Sequence, residues 1–153
     1  MTDQGRNDVV RQPATTVMRK QYYFRPSDRG YKAWDVDRLV ALSKDFPRIE
    51  VTLMNIPELD EAFPADEKGV VTWRNVVGHM ALIEAADPSY PIILAANGEV
   101  MDGRHRIAKA MLAGKTTVEA VQFTNDPEPD YVDVYPHELP YEEETVDGIS
   151  FRP

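Results

Sequence analysis

The sequence predicts a small α+β domain that contains a mixed sheet and about three helices. Apolar residues recur at helical spacing in three stretches, and shorter alternating or apolar stretches typical of strands lie between them. Their order along the chain is helix, strand, helix, hairpin, helix, strand, which is typical of the α+β class. A chain of 153 residues is long enough to bury roughly two-thirds of its unfolded surface around one core.

The first helix is predicted in AWDVDRLVALSKDF, where Asp35 or Asp37 can cap its start and Pro47 ends it. The apolar residues that recur at helical spacing are Val36, Leu39, Val40, Leu42 and Phe46. The next stretch, residues 48–56, alternates and predicts a strand. The buried face of this strand comprises Ile49, Val51 and Leu53. For residues 57–69 we expect an acidic loop or a short irregular helix.

The second helix is predicted in TWRNVVGHMALIEAAD, with Thr72 as its cap and Pro88 just beyond its end. Its predicted buried stripe comprises Trp73, Val76, Val77, Met80, Leu82 and Ile83. The pair Asn97-Gly98 between apolar stretches is a strong local signal of a hairpin. The third helix, RHRIAKAMLAG, ends at Gly114 as a left-handed cap, and TTVEAVQF predicts the strand that follows.

The chain divides into a flexible arm at residues 1–20, a domain at 21–123 and an acidic extension at 124–153. The extension packs on the domain or trails from it, and Tyr131–Tyr135 can add an edge strand. Residues 1–30 carry six basic and three acidic residues, whereas the extension carries nine acidic residues and one basic residue. These oppositely charged ends either meet, in the fold or in a dimer, or are solvated separately.

Composition excludes several classes of function. The absence of cysteine excludes disulfide frameworks, thiolate metal sites and cysteine nucleophiles. We expect a cytoplasmic protein, because the sequence shows neither an apolar secretory signal nor a run of the roughly 20 apolar residues that a membrane span needs. The net charge of −9 disfavours nucleic acid as the main partner, although a local basic site can still exist.

A basic segment, Asp102-Gly103-Arg104-His105-Arg106, directly precedes the apolar part of the third helix. If that helix begins at Gly103 with Asp102 as its N-cap, its first-turn amides and its dipole favour an anion. Gly103 then lets a ligand approach closely. Arg104 and Arg106 each offer a planar guanidinium that can donate to two phosphate oxygens at once. His105 can donate a hydrogen bond or carry charge near its usual pKa of about 6.5. We therefore predict a phosphate-binding turn; alternatively, both arginines only solvate the helix start and pair with acids.

Residues 90–123 resemble the core of the ParB/sulfiredoxin superfamily. They combine a Pro-Ile strand, a hairpin, a glycine–basic turn that opens a helix with small residues, and a closing strand. The upstream IEVTLMNIPELD resembles an earlier strand of the same fold, so the resemblance covers about half of the chain. It is strongest at residues 102–106, a D-G-x-H-R form of the nucleotide-phosphate loop of the family. The resemblance implies a ParB/sulfiredoxin-like fold that binds ATP, ADP or CTP, with Mg²⁺, at this turn.

This sequence lacks features that define two branches of the superfamily. Sulfiredoxins carry a catalytic cysteine just before the His-Arg pair, and here that position is Arg104 in a chain without cysteine, so sulfinic acid reduction is excluded. Chromosome-partition ParB proteins have a downstream helix-turn-helix domain, whereas only residues 124–153 follow the core here, so we do not expect a complete partition protein. The third branch, nucleotide-dependent kinases of free serine, is similar in its D-G-x-H-R-like turn and is not contradicted.

Phosphoryl transfer also needs a carboxylate that accepts a proton or holds Mg²⁺. In the fold of the superfamily the acidic loop lies beside the phosphate turn, so the resemblance implies Glu58 as the first candidate base and Asp60 as the second. The function we predict is that of a small nucleotide-dependent phosphotransferase or nucleotide hydrolase, with a small-molecule phosphoryl acceptor in the first case. The alternatives are a nucleotide-regulated module that associates with a protein or DNA partner through the basic arm or, for a protein, the acidic tail, and a ParB-like nuclease.

The remaining aromatic and histidine residues have structural explanations beside the functional ones. His79 is predicted as a half-buried structural residue, and His137 lacks a matched third ligand, so no metal site is predicted. Trp34 and Trp73 are expected in the core or at its edge, although either can stack on a base. The segment 22–25, Tyr-Tyr-Phe-Arg, is either a stacking patch or an edge strand that packs on the core.

Overall fold

The computed structural model describes residues 20–62 and 70–141, together with the backbone of residues 145–146 and 149–150. The predicted arm apart from Lys20, much of the acidic loop and the side chains at the end of the extension lie outside the described residues. Within the described part of the chain there are three α-helices and two larger sheets, of three and four strands, so the α+β class is confirmed. These residues fall into two compact units, one comprising residues up to Arg38 and from Glu128 onwards, the other Leu39–Pro127.

The sheet of the first unit has three antiparallel strands. Strands β1 (Tyr22–Ser27) and β2 (Gly30–Asp35) form a hairpin, and β7 (Tyr131–Val134) pairs with the other side of β2. The buried Trp34 ring lies 5.5 Å from the Tyr23 ring, measured between centroids. The segment 22–25 is therefore an edge strand, and the predicted edge strand near Tyr131 is confirmed.

Helix α1 (Val36–Ser43) begins where its sequence predicts. The Asp37 amide donates a 2.9 Å hydrogen bond to Asp35 Oδ1, so Asp35 caps this end. The helix has only two turns and ends at Ser43, whose hydroxyl donates to the Leu39 carbonyl, and the chain turns at residues 44–46 before Pro47. One face of so short a helix is buried, which leaves Val40 and Leu42 exposed.

The sheet of the second unit has the strand order β3-β6-β4-β5. Strands β4 (Ile92–Leu94) and β5 (Val100–Asp102) form the predicted hairpin, in which Gly98 has a φ of +92° and Asn97 Oδ1 accepts a hydrogen bond from the Glu99 amide. Strand β6 (Thr117–Gln122) runs parallel to β4 and antiparallel to β3 (Ile49–Thr52). The core of this unit comprises Leu53, Ile56, Ile92, Leu94, Val100, Ile107, Ala110 and Ala120.

The predicted buried face of β3 is only partly correct. Ile49 is exposed and Val51 is half-buried, because β3 lies at the edge of the sheet. Leu53 is buried as predicted, but it belongs to a 3₁₀ turn (Leu53–Asn55) that follows the strand. A second 3₁₀ turn, Pro57–Asp60, is the short irregular helix expected in the acidic segment.

Helix α2 (Trp73–Ala85) begins with a capping box in which Thr72 and Asn75 bind each other's backbone amides, so the predicted cap is confirmed. The predicted buried stripe is wrong: Trp73, Val77, Met80 and Leu82 are exposed, while Val76 and Ile83 are half-buried. Apolar residues surround most of this helix, so their spacing alone does not identify the face that packs. None of the described helices is long and apolar enough to cross a membrane.

Helix α3 (Arg104–Leu112) ends in a Schellman motif. The Lys115 amide donates to the Ala110 carbonyl and the Gly114 amide donates to the Met111 carbonyl, both at 3.0 Å. Gly114 has a φ of +76°, which confirms it as the predicted left-handed cap. At its other end α3 follows β5 after a single residue, and this junction is the predicted phosphate turn.

Candidate functional site

Gly103 joins β5 to α3 and is the N-cap of the helix, with a φ of +115°. The predicted helix RHRIAKAMLAG begins at Arg104, which the structure confirms, whereas the alternative start at Gly103 with Asp102 as its cap is wrong. The helix begins at Arg104 because Asp102 is still part of β5, and no described side chain caps this helix end. A Cβ added at Gly103 would lie 2.6 Å from Ile92 Cγ2. The close packing on β4 therefore explains the glycine without a ligand.

Asp102 and Arg106 form an ion pair one helical turn apart. The Arg106 Nη2 donates to Asp102 Oδ2 at 2.7 Å, and each side chain is only 17% exposed. A half-buried, short ion pair of this kind orders the guanidinium and offsets its charge. Arg106 is therefore positioned beside the turn, with part of its hydrogen-bonding capacity already used.

Arg104 is the more accessible cation of the turn. Its side chain is 54% exposed, and its Nη2 lies 3.7 Å from Glu61 Oε1. Because this contact is long and solvated, it holds the guanidinium only weakly. The amides of the first turn of α3, which begins at Arg104, have no acceptor within the helix. Arg104 and these amides are the groups of the turn best able to receive an anion.

His105 contacts His79 of α2, which the sequence did not predict. The His79 Nδ1 lies 3.0 Å from His105 Nε2, so one ring donates a hydrogen bond to the other. Burial lowers the pKa of His79, and burial together with the adjacent His79 lowers the pKa of His105, although Asp102 partly opposes this. Both rings are therefore neutral at pH 7, and His105 is not a third positive charge at the turn.

Glu58 is the acidic residue that the structure places inward. Its Oε2 accepts a 2.7 Å hydrogen bond from the Val100 amide in β5, two residues before Asp102. Its Oε1 is buried and has no hydrogen-bond partner among the described residues. Asp60 and Glu61, by contrast, are exposed. The contacts of Glu58 with β5 and of Glu61 with Arg104 hold the acidic segment beside the turn.

The charges of the turn are nearly balanced. Two guanidinium groups, Arg104 and Arg106, face the carboxylates of Glu61 and Asp102, and the histidine pair is neutral. An incoming anion gains most if it replaces Glu61 at Arg104, since that pair is the weaker one. Arg104 and the first-turn amides of α3 are thus the groups open to an anion, and a further carboxylate, Glu58, is held by the Val100 amide two residues before Asp102.

Sequence reasoning missed His79 as a neighbour of His105, because 26 residues separate them and no spacing rule connects two helices. Within the described residues no group of three or more histidine, aspartate or glutamate side chains is arranged to hold a metal ion. No family model matches the chain, and neither a curated protein nor a solved structure is significantly similar to it. The proposal for its function therefore rests on the residues of this site.

Proposed function

We propose that this protein binds a nucleotide, with its phosphates at the start of α3, and acts as a small nucleotide-dependent phosphotransferase or nucleotide hydrolase. The observation that carries the proposal is the uncapped start of α3 beside the exposed guanidinium of Arg104. Backbone amides and a planar guanidinium together are a common way to bind phosphate. ATP, ADP and CTP with Mg²⁺ are the candidate ligands, and the cytoplasm stays the expected location.

Each residue of the turn has a distinct role in this proposal. Arg104 exchanges its weak contact with Glu61 for paired hydrogen bonds to phosphate oxygens. Arg106, held by Asp102, contributes a second guanidinium with a defined orientation. His105 is a neutral hydrogen-bond donor whose ring is positioned by His79. Gly103 permits the tight connection from β5 that brings these groups together.

Glu58 is the proposed general base. Its carboxylate is held by the Val100 amide, which keeps one oxygen engaged and leaves the other without a partner among the described residues. To act as the base, the buried Oε1 must turn toward the substrate. It then accepts the proton of an attacking alcohol or water while the oxygen of that alcohol or water bonds to the terminal phosphorus and the bond from this phosphorus to the rest of the nucleotide breaks. Asp60, which is exposed, is the second candidate for this role.

The resemblance of residues 90–123 to the ParB/sulfiredoxin superfamily supports the same location for the phosphates. The Glu58 and Glu61 contacts agree with the resemblance, which implies an acidic loop beside the turn. Membership of the superfamily stays a prediction, as does the nucleotide base.

Nucleotide binding is tested by thermal unfolding with ATP, ADP, CTP, GTP and pyrophosphate, each with and without Mg²⁺. A ligand at about 100 times its Kd adds about 2.7 kcal/mol to the stability of the native state, which is a shift of several degrees. Arg104→Ala should weaken binding by about 1.5–3 kcal/mol, the value of a charge-assisted hydrogen bond. Arg48→Ala is the matched control, since Arg48 is also half-exposed and paired with a glutamate, Glu119.

A flat response to every ligand, or equal binding by the Arg104 and Arg48 variants, would contradict the proposed site. Pyrophosphate is the most direct probe because it carries no base. Binding of pyrophosphate without preference among the nucleotides would support the phosphate turn and contradict a base-specific pocket.

Turnover is tested separately by phosphate release and by transfer to candidate alcohols. Glu58→Gln keeps an acceptor for the Val100 amide but removes the base, so it should lower kcat by about 100-fold or more while leaving nucleotide affinity nearly unchanged. Asp60→Asn tests the second candidate: a large loss of kcat in this variant, with Glu58→Gln still active, would assign the base to Asp60. If the wild-type protein binds nucleotide without any turnover, the enzyme hypothesis is wrong and the nucleotide-regulated module replaces it. Plasmid degradation with Mg²⁺ or Mn²⁺ would instead identify a nuclease.

A further inference from the structure

The solvent side of α2 is mostly apolar, with the exposed charged residues Arg74 and Glu84 near its two ends. The helix contacts α3, and its half-buried residues are Asn75, Val76, His79 and Ile83. On the opposite side Trp73 is 85% exposed, Val77 59% and Met80 57%, and these three are spaced four and three residues apart on one stripe. Exposed small residues continue the same side. The exposed apolar residues and glycine of this side are together called the outer face of α2: Trp73, Val77, Gly78, Met80, Ala81 and Ala85.

The outer face is larger than the apolar patches that single side chains produce. A tryptophan alone offers about 150–250 Å², and adding two further large side chains brings the exposed apolar area to roughly 400 Å². This area is in the range of the largest patch on a typical monomer, and such patches are often interaction sites. A second molecule that covers the face would remove this area from water.

The charges of α2 favour a particular orientation of a second copy. Arg74 and Glu84 are its two charged residues; both are exposed and they lie near opposite ends of the helix. If two copies pack α2 against α2 in antiparallel orientation, each Arg74 lies at the level of Glu84 of the other copy. A parallel pair would place arginine beside arginine and glutamate beside glutamate, which is unfavourable.

The sizes of the side chains agree with the same register. Matching position 74 with position 84 also brings Trp73 to the level of Ala85, Val77 to that of Ala81 and Met80 to that of Gly78. Each large residue of the outer face is then at the level of a small one in the second copy. Apart from the backbone of its own helix, Gly78 has no heavy atom within 4 Å of the place where a Cβ would be, so space for a neighbouring side chain exists there. Alternation of large and small residues permits close helix packing.

We propose that two copies of this protein associate through the outer faces of α2, packed antiparallel about a two-fold axis at the level of residue 79 along the helix. Such an interface is isologous, because each copy contributes the same residues. One face of a helix of 13 residues buries on the order of 600 Å² per copy, at the lower limit for stable interfaces. An interface at this lower limit is typical of weak association, so we expect a dimer that exchanges with monomer.

Sedimentation velocity between about 2 and 200 µM tests the association. The wild-type chain should shift from monomer to dimer with a Kd of about 10 µM, in the range expected for a small interface. Trp73→Lys, which places a charge on the most exposed residue of the face, should weaken association by about 10-fold or more without affecting the fold. A wild-type chain that remains monomeric at 200 µM would overturn the proposal, whatever else covers the face.

Charge reversal tests the orientation. Arg74→Glu and Glu84→Arg should each weaken the dimer by about 10-fold, because each puts like charges at the same level twice. The double variant, Arg74→Glu with Glu84→Arg, should restore the wild-type Kd within about 3-fold. Lys44→Glu, the same change of charge at an exposed residue beyond the end of α1, is the control and should leave the Kd unchanged. Failure of the double variant to restore association would overturn the antiparallel arrangement.

Discussion

Gly103 is constrained both by its backbone and by its neighbour. Its φ of +115° is unfavourable for any residue with a side chain, and a Cβ would overlap Ile92. Gly98 has a similar φ of +92° but open space around it. Substituting each glycine by alanine therefore distinguishes two effects: backbone strain alone at position 98, and strain together with overpacking at position 103.

Gly103→Ala should lower the free energy of unfolding by about 2–4 kcal/mol, since strain and overlap act together. Gly98→Ala should lower it by about 1–2 kcal/mol, from strain alone. Urea unfolding of both variants measures the difference. Equal losses would show that the contact with Ile92 does not restrict position 103.

The histidine pair links stability to pH. Both imidazoles have a pKa below the usual value of about 6.5 in the folded protein, so the unfolded chain binds protons more readily. Stability is complete above about pH 6.5 and is lost as pH falls below it, by up to about 1.4 kcal/mol per pH unit for each proton taken up.

Urea unfolding at pH 7.5, 6.5 and 5.5 should therefore show a smaller decline for a variant with both His79→Gln and His105→Gln than for the wild type. His137→Gln, at an exposed position, should keep the wild-type decline. Identical slopes for all three proteins would mean that the pair does not titrate with folding.

At the scale of elements, Lys109 of α3 stabilises the end of α2. Its Nζ donates to the Glu84 carbonyl at 2.8 Å and to the Ala86 carbonyl at 2.9 Å, at the C-terminal end of α2 where carbonyl groups have no donor within the helix. Lys109→Met should lower the free energy of unfolding by about 1–2 kcal/mol, because it removes two charge-assisted hydrogen bonds. Thermal unfolding measures this loss of stability. Lys115→Met, at an exposed position, is the control and should change the free energy of unfolding little.

Several elements could be predicted because their signals are local. The β4–β5 hairpin depends on Asn97-Gly98, and α2 begins at a capping box of adjacent residues. The packed face of α2 could not be predicted in the same way. Its apolar residues surround the helix, and only the contact with α3 determines that His79 points inward while Trp73 is exposed.

At the scale of the whole molecule, the net charge of −9 contrasts with the basic segment 102–106. The contacts of Arg104 with Glu61 and of Arg106 with Asp102 reduce the positive charge of that segment. In the proposed function, a phosphate would therefore have to compete with an internal carboxylate, which favours exchangeable binding. The proposed self-association through the outer face of α2 does not involve the residues of the phosphate turn.

The sequence by itself determined the α+β class, the hairpin, the starts of α1 and α2 and the end of α3, because caps and turns depend on residues a few positions apart. Only the tertiary structure decided that Glu58 rather than Asp60 turns inward, that His79 meets His105 and that Gly103 packs on Ile92. These contacts join residues far apart in the chain, and whether a side chain is buried depends on the surface opposite it. No pattern within one segment contains that information.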